Sequence, residues 1–150
     1  MSKYYKYSIT NFILWLIVAI SFLSIFLNEE TINNWGDNRT KTIAIAFLFL
    51  IGFSGQLVFN LLNRKKEGKI DKDERDLSIQ NKSLSYSFII TLTYVFVVTI
   101  SIYSYYEKAR FIPIAWMWFV AYSLILVTNI VTSFVSIILY KKSGSWSYFW

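Results

Sequence analysis

Four stretches without a charged residue, 9–27, 42–62, 84–103 and 113–140, constrain this chain more than any other feature of it. Each is close to or beyond the ~20 residues with which a helix crosses the ~30 Å hydrocarbon core of a bilayer. The expectation is an all-α integral membrane four-helix bundle, one domain over residues 1–150. Composition agrees. The chain is 55% hydrophobic and 16% charged, more apolar than soluble domains at about 45–50% apolar and about 25% charged. The fourth stretch is the longest. At ~1.5 Å per residue it exceeds the hydrocarbon thickness, so it should tilt or extend into the headgroups. Pro113, the only proline, sits where that helix should begin, because its missing N–H costs nothing in the first turn. The first stretch follows Lys3 and Lys6 as a signal peptide would. It is longer than a typical signal core and ends in IFLNEE without a small-residue cleavage site, so it reads as a retained helix.

The charges supply an orientation. Of the fifteen Lys/Arg, eleven fall in the N-terminal segment, the central segment 63–82 and the segment after 140, and four fall in the other two loops. Short loops rich in Lys/Arg stay cytoplasmic, which places both termini and the central segment inside, in the cell membrane. Trp35, Tyr103, Tyr105, Tyr106, Trp116 and Trp118 then lie near the outer boundary, where aromatic rings favour the interface. Trp35 with Gly36 and Asp37 fits a turn there, and the aromatic tail after Ser143 should fold back onto the inner interface. The Lys-, Ile-, Asn- and Tyr-rich composition is that of an A/T-rich bacterial genome.

Polarity inside the spans is uncharged and unevenly placed. In the second span Gly52, Gly55, Gln56 and Asn60 share a helical face, and in the fourth Asn129, Ser133 and Ser136 do the same. Ser87 and Thr91 of the third span lie at a similar depth. The first reading is helix packing, in which glycines let backbones approach and Asn/Gln side chains bond across helices. The second is a polar cavity open to the cytoplasm that binds something small. With no intramembrane charge, the groups used by proton relays and voltage sensors are missing.

The segment 63–82, NRKKEGKIDKDERDLSIQNK, holds seven of the Lys/Arg and five of the nine Asp/Glu. Gly68 is a natural stop for the second helix. Residues 70–82 read as a short cytoplasmic helix leading into the third span, with Asp71, Asp73, Glu74 and Asp76 complementing its N-terminal dipole. Asp71 and Arg75 form a favourable i,i+4 pair, and Ile70, Leu77 and Leu84 make a narrow apolar stripe for the membrane surface or a partner helix. The acidic residues fail the calcium-loop pattern: counted from Asp71, position six is Asp76 where a glycine is needed, and position twelve is Lys82. No metal is expected. Cations interleaved with anions make a poor phosphate-tracking surface, so no nucleic acid is expected either. The bland reading of the segment is a solvated helix entry and topology signal.

Asp73-Glu74-Arg75-Asp76, followed by Ile79 and Lys82 ahead of a membrane helix carrying Tyr86, resembles a motif in a group of small multi-pass prokaryotic membrane proteins of unknown function. Those carry Asp-Glu-Arg-Asp/Glu, then an Ile and a Lys-Ala pair; here Ser83 stands in place of the Ala. The resemblance implies a four-span layout and no catalytic residues. It also implies companionship with small regulators or with peptide-export and self-protection systems.

The chain has neither Cys nor His. Thiol chemistry, Cys/His zinc sites, haem ligation and His-based acid–base catalysis are therefore excluded. No nucleophile-and-base arrangement is recognisable, so neither enzyme activity nor a cofactor is expected. The leading expectation is a small membrane interaction protein that binds a cytoplasmic partner, or a second copy of itself, through Asp73, Glu74, Arg75, Asp76 and Leu77. The runner-up is an immunity-type protein that resists a membrane-active peptide through Trp35, Trp116 and Trp118. Third comes a channel or transporter subunit built on Gln56, Asn60 and Asn129.

Overall fold

The computed structural model describes residues 3–27, 35, 39–65 and 74–145, and those in regular structure are all helical. The elements are α1 (Lys3–Phe26), α2 (Arg39–Lys65), α3 (Glu74–Tyr106) and α4 (Ile114–Ser145). Among the described residues, four helices are long and apolar enough to cross a membrane. Helices suit that setting because each satisfies its backbone hydrogen bonds internally, where lipid offers none. Gly36, Asp37, Gly68, Ile70, Asp71, Asp73 and the tail from 146 lie outside the described residues.

Each helix runs past its uncharged stretch. α1 begins at Lys3, and the hydroxyls of Ser8 and Thr10 donate back to the carbonyls of Tyr4 and Lys6. The described part of 70–82 is not a separate short helix. From Glu74 it forms the first turns of α3, because no Gly or Pro interrupts the sequence before Tyr106. At ~1.5 Å rise its 33 residues span about 50 Å, well over the hydrocarbon core, so one end must project. Glu74 and Asp76 in the first turn identify which end. α3 closes at Tyr106, whose carbonyl accepts from the N–H groups of Ala109 and Arg110, with Arg110 in the left-handed region (φ 53°). Pro113 directly precedes α4.

Three antiparallel contacts assemble the bundle. α1 lies between α2 and α4, and α3 packs against the other side of α4. Tyr5 meets Tyr140, and Tyr140 also reaches Asp76; Phe26 meets Trp116, and Trp116 reaches Tyr106. The start of α1, the start of α3 and the end of α4 therefore share one end of the bundle. The end of α1, the end of α3 and the start of α4 share the other.

The two ends are built from different chemistry. Around the second, Phe22, Phe26, Phe49, Trp116, Phe119 and Tyr122 stack edge and face, with Phe26–Phe119 at 4.9 Å and Phe49–Tyr122 at 4.8 Å between ring centroids. Buried Trp35 closes this cluster between Phe26 and Trp118. Toward the first end, hydroxyl and amide groups take over. α3 buries only Ile79, Ser83, Ser87 and Thr91, one residue per turn.

Candidate functional site

The charged motif at the start of α3 is the candidate site. Two of its members are tied to the end of α4. Tyr140 donates its phenolic hydrogen to Asp76 Oδ1 at 2.8 Å, and Arg75 donates to Ser143 Oγ through Nε at 3.2 Å and Nη2 at 2.5 Å. Tyr140 is buried and packs edge-on against Tyr5, so α1, α3 and α4 meet at this point. Hydrogen bonds to charged groups are the stronger kind where water is excluded, as at the part-buried Tyr140–Asp76 bond, while the exposed Arg75–Ser143 bonds are screened and contribute less. Here they fix the first turn of α3 beyond its small-residue stripe.

The remaining face stays open. Glu74, Leu77, Ser78, Gln80, Asn81 and Lys82 are exposed, Leu77 to 41%. Leu84, one heptad on, is exposed to 49%. The apolar stripe read through Leu77 and Leu84 therefore points away from the bundle, and its inward counterpart is Ile79, Ser83, Ser87 and Thr91. Among the described residues no group of three His, Cys, Asp or Glu gathers closely enough to hold a metal. Asp73 lies outside the described residues.

The intramembrane polar residues turn toward other helices. A Cβ on Gly52 would stand 3.4 Å from the Trp15 ring, and one on Gly55 2.9 Å from Leu14 Cδ1. These glycines are thus where α2 approaches α1. On α4, Ser133 accepts from Asn11 Nδ2 at 2.7 Å, Ser136 is buried, and Asn129 donates to the carbonyl of Ile125 in its own helix. Gly52 and Gly55 of α2 and Ser133 of α4 thus face α1. Gln56 is half-buried, and the side chain of Asn60 lies outside the described residues.

On the other side of α4, Ser87 donates to the Thr128 carbonyl at 3.1 Å and accepts from Thr132 Oγ1 at 2.8 Å, while Thr91 lies 3.4 Å from Thr128 Oγ1. Sequence reading noticed Ser87 and Thr91 but missed Thr128 and Thr132. Their signal was present, since they recur at i,i+4 beside the Asn129–Ser133 face. It also missed Asn11 and Trp15 in α1, an amide and an indole one helical turn apart in an otherwise apolar stretch.

No protein-family model, curated protein or solved structure was found to match the chain.

Proposed function

We propose that this is a small integral membrane interaction protein of the bacterial cell membrane, whose α3 start binds a cytoplasmic protein partner or regulator. Both termini and the segment 63–82 face the cytoplasm in this reading, which the excess of Lys/Arg at that end supports. The observation that carries it is the division of labour within one helical turn. Arg75 and Asp76 hold the start of α3 against α4, and Glu74 and Leu77 beside them are left exposed. A charged and apolar surface held in place before binding loses less ordering entropy on association. The resemblance of Asp73-Glu74-Arg75-Asp76 to the motif of small multi-pass proteins is compatible with this reading, and equally with companionship to peptide-export and self-protection systems.

Glu74→Lys is the cleanest variant, because Glu74 is exposed and the contacts to α4 come from its neighbours. Full-length protein extracted from native membranes should lose its co-purifying soluble partner in this variant, with membrane insertion unchanged. Retention of the same partner at the same yield would leave the segment as a topology signal alone.

A second reading, protection against a membrane-active peptide, is favoured by the opposite end. There Tyr105, Phe111 and Met117 are exposed by 79%, 70% and 71% beside the aromatic cluster. Trp35 is buried and Trp116 half-buried within that cluster, so their first role is packing. The channel reading ranks below both, because four spans without an intramembrane charge make a poor solitary transporter.

A further inference from the structure

α3 carries a second surface, on the side away from Leu77. Residues three, four and seven apart share a helical face, and steps of seven, four and three from Arg75 reach Lys82, Tyr86 and Ile89. All four are exposed. Leu77, two residues from Arg75, lies across the helix axis from them at ~100° per residue. From the helix start inward, this face passes from two cations through an aromatic ring to an aliphatic chain. Lys82 is the last charge before the uncharged stretch 84–103. The change of chemistry therefore falls where a bilayer passes from headgroup to hydrocarbon.

The cationic end is braced by α4. Arg75 donates to Ser143 Oγ through Nε and Nη2, which leaves the hydrogens of Nη1 for another acceptor. Ser143 follows Lys142, an exposed basic residue in the last turn of α4. Side chains lean toward the N-terminus of their own helix, so Lys82 rises from the boundary toward Arg75 with its stem along the apolar surface. Three cations from two helices thus belong to one junction. The nearby carboxylates are directed elsewhere. Asp76 accepts from Tyr140, Glu74 lies ~100° round the helix from Arg75, and no Asp or Glu occurs from 77 to 106.

We infer that Arg75, Lys82 and Lys142 form a binding site for the phosphate of an anionic phospholipid at the junction of α3 and α4. Tyr86 lies at the polar–apolar boundary below that phosphate, and Ile89 lies along the acyl chain. A soluble anion would use the cations and leave the apolar half of the face without a role, whereas a lipid matches both halves. The bound headgroup bridges α3 and α4 on a face separate from Glu74 and Leu77. The inference is therefore independent of the protein partner proposed there.

The test uses the full chain in detergent and native mass spectrometry, with an equal mixture of phosphatidylglycerol and phosphatidylcholine bearing the same acyl chains. The expected result is preferential retention of phosphatidylglycerol. Lys82→Gln should lower that preference roughly fivefold, the worth of one cation close to anionic lipid, and Lys82→Arg should keep it. Lys82 is exposed and outside the buried stripe that packs on α4, so these variants spare the fold. Lys6→Gln removes one exposed charge from the same end, on α1 beyond α4, and should leave the preference unchanged. Absence of any preference in the wild-type protein would overturn the inference. Equal losses in Lys6→Gln and Lys82→Gln would also overturn it, by reducing the attraction to net charge. Displacement of the lipid by glycerol phosphate at the same concentration would overturn it as well, by assigning the cations to a soluble anion.

Discussion

At the scale of single residues, small side chains set how closely these helices approach. Gly52 has the more rigid neighbour: a Cβ there would just touch, at 3.4 Å, the ring of fully buried Trp15, which Phe49 and Phe53 hold, so only a larger side chain would clash. Gly55 faces the end of flexible Leu14, which can rotate away. Gly52→Leu should therefore destabilise the protein by about 1–3 kcal/mol through overpacking, and Gly52→Ala, whose Cβ stands at contact distance, should be near neutral. Detergent-titrated unfolding of the two variants measures the difference; equal effects would contradict the close approach at Gly52. The role of Gly52 and Gly55 was legible in the sequence, since glycines at helical spacing in an apolar run have few other uses. The burial of Asn11 was not, because an isolated amide in an apolar run does not name the helix it will meet.

At the scale of elements, α3 shows why its inward face was hard to read. The apolar stripe through Leu77 and Leu84, read as facing the membrane surface or a partner helix, is exposed, and the inward face is made instead by Ser83, Ser87 and Thr91. In water the hydrophobic effect drives apolar side chains inward, whereas lipid is as apolar as leucine and gives no such bias. Association then follows close packing and interhelical hydrogen bonds, which small hydroxyl residues supply. Ser87 is the hub of the α3–α4 contact. Ser87→Ala should cost only about 0.6 kcal/mol, typical of such membrane hydrogen bonds, since the one hydroxyl hydrogen of Thr132 can then turn wholly to the Thr128 carbonyl. Ser87→Leu should cost about 1–3 kcal/mol by holding the helices apart. A larger loss for Ser87→Ala than for Ser87→Leu would show that hydrogen bonding, not proximity, dominates the contact. The existence and order of the four helices were legible from the uncharged runs. The continuity of α3 through Glu74–Lys82 follows from the lack of Gly and Pro there.

At the scale of the whole molecule, one end is an aromatic cluster and the other is held by hydroxyl, amide and charged groups. The orientation proposed for it is testable without first removing native cysteines, because the sequence has none. Single cysteines at Tyr105 and at Lys142 should behave oppositely toward a membrane-impermeant thiol reagent applied to intact cells: Tyr105→Cys is labelled and Lys142→Cys is protected until the cells are opened. The reverse pattern would invert the topology and move the α3 start outside. The functional proposal rests on that end of the bundle, where Arg75 and Asp76 anchor a turn that leaves Glu74 and Leu77 open. The most direct measurement is photo-crosslinking in native membranes from a reactive residue at position 77, with position 105 as the opposite-end control, read by mass spectrometry. The account predicts one discrete soluble protein captured from position 77, absent from position 105 and lost when Glu74→Lys is added. Capture of a peptide or envelope component from position 105 alone, with nothing from position 77, would contradict it and place the function at the aromatic end.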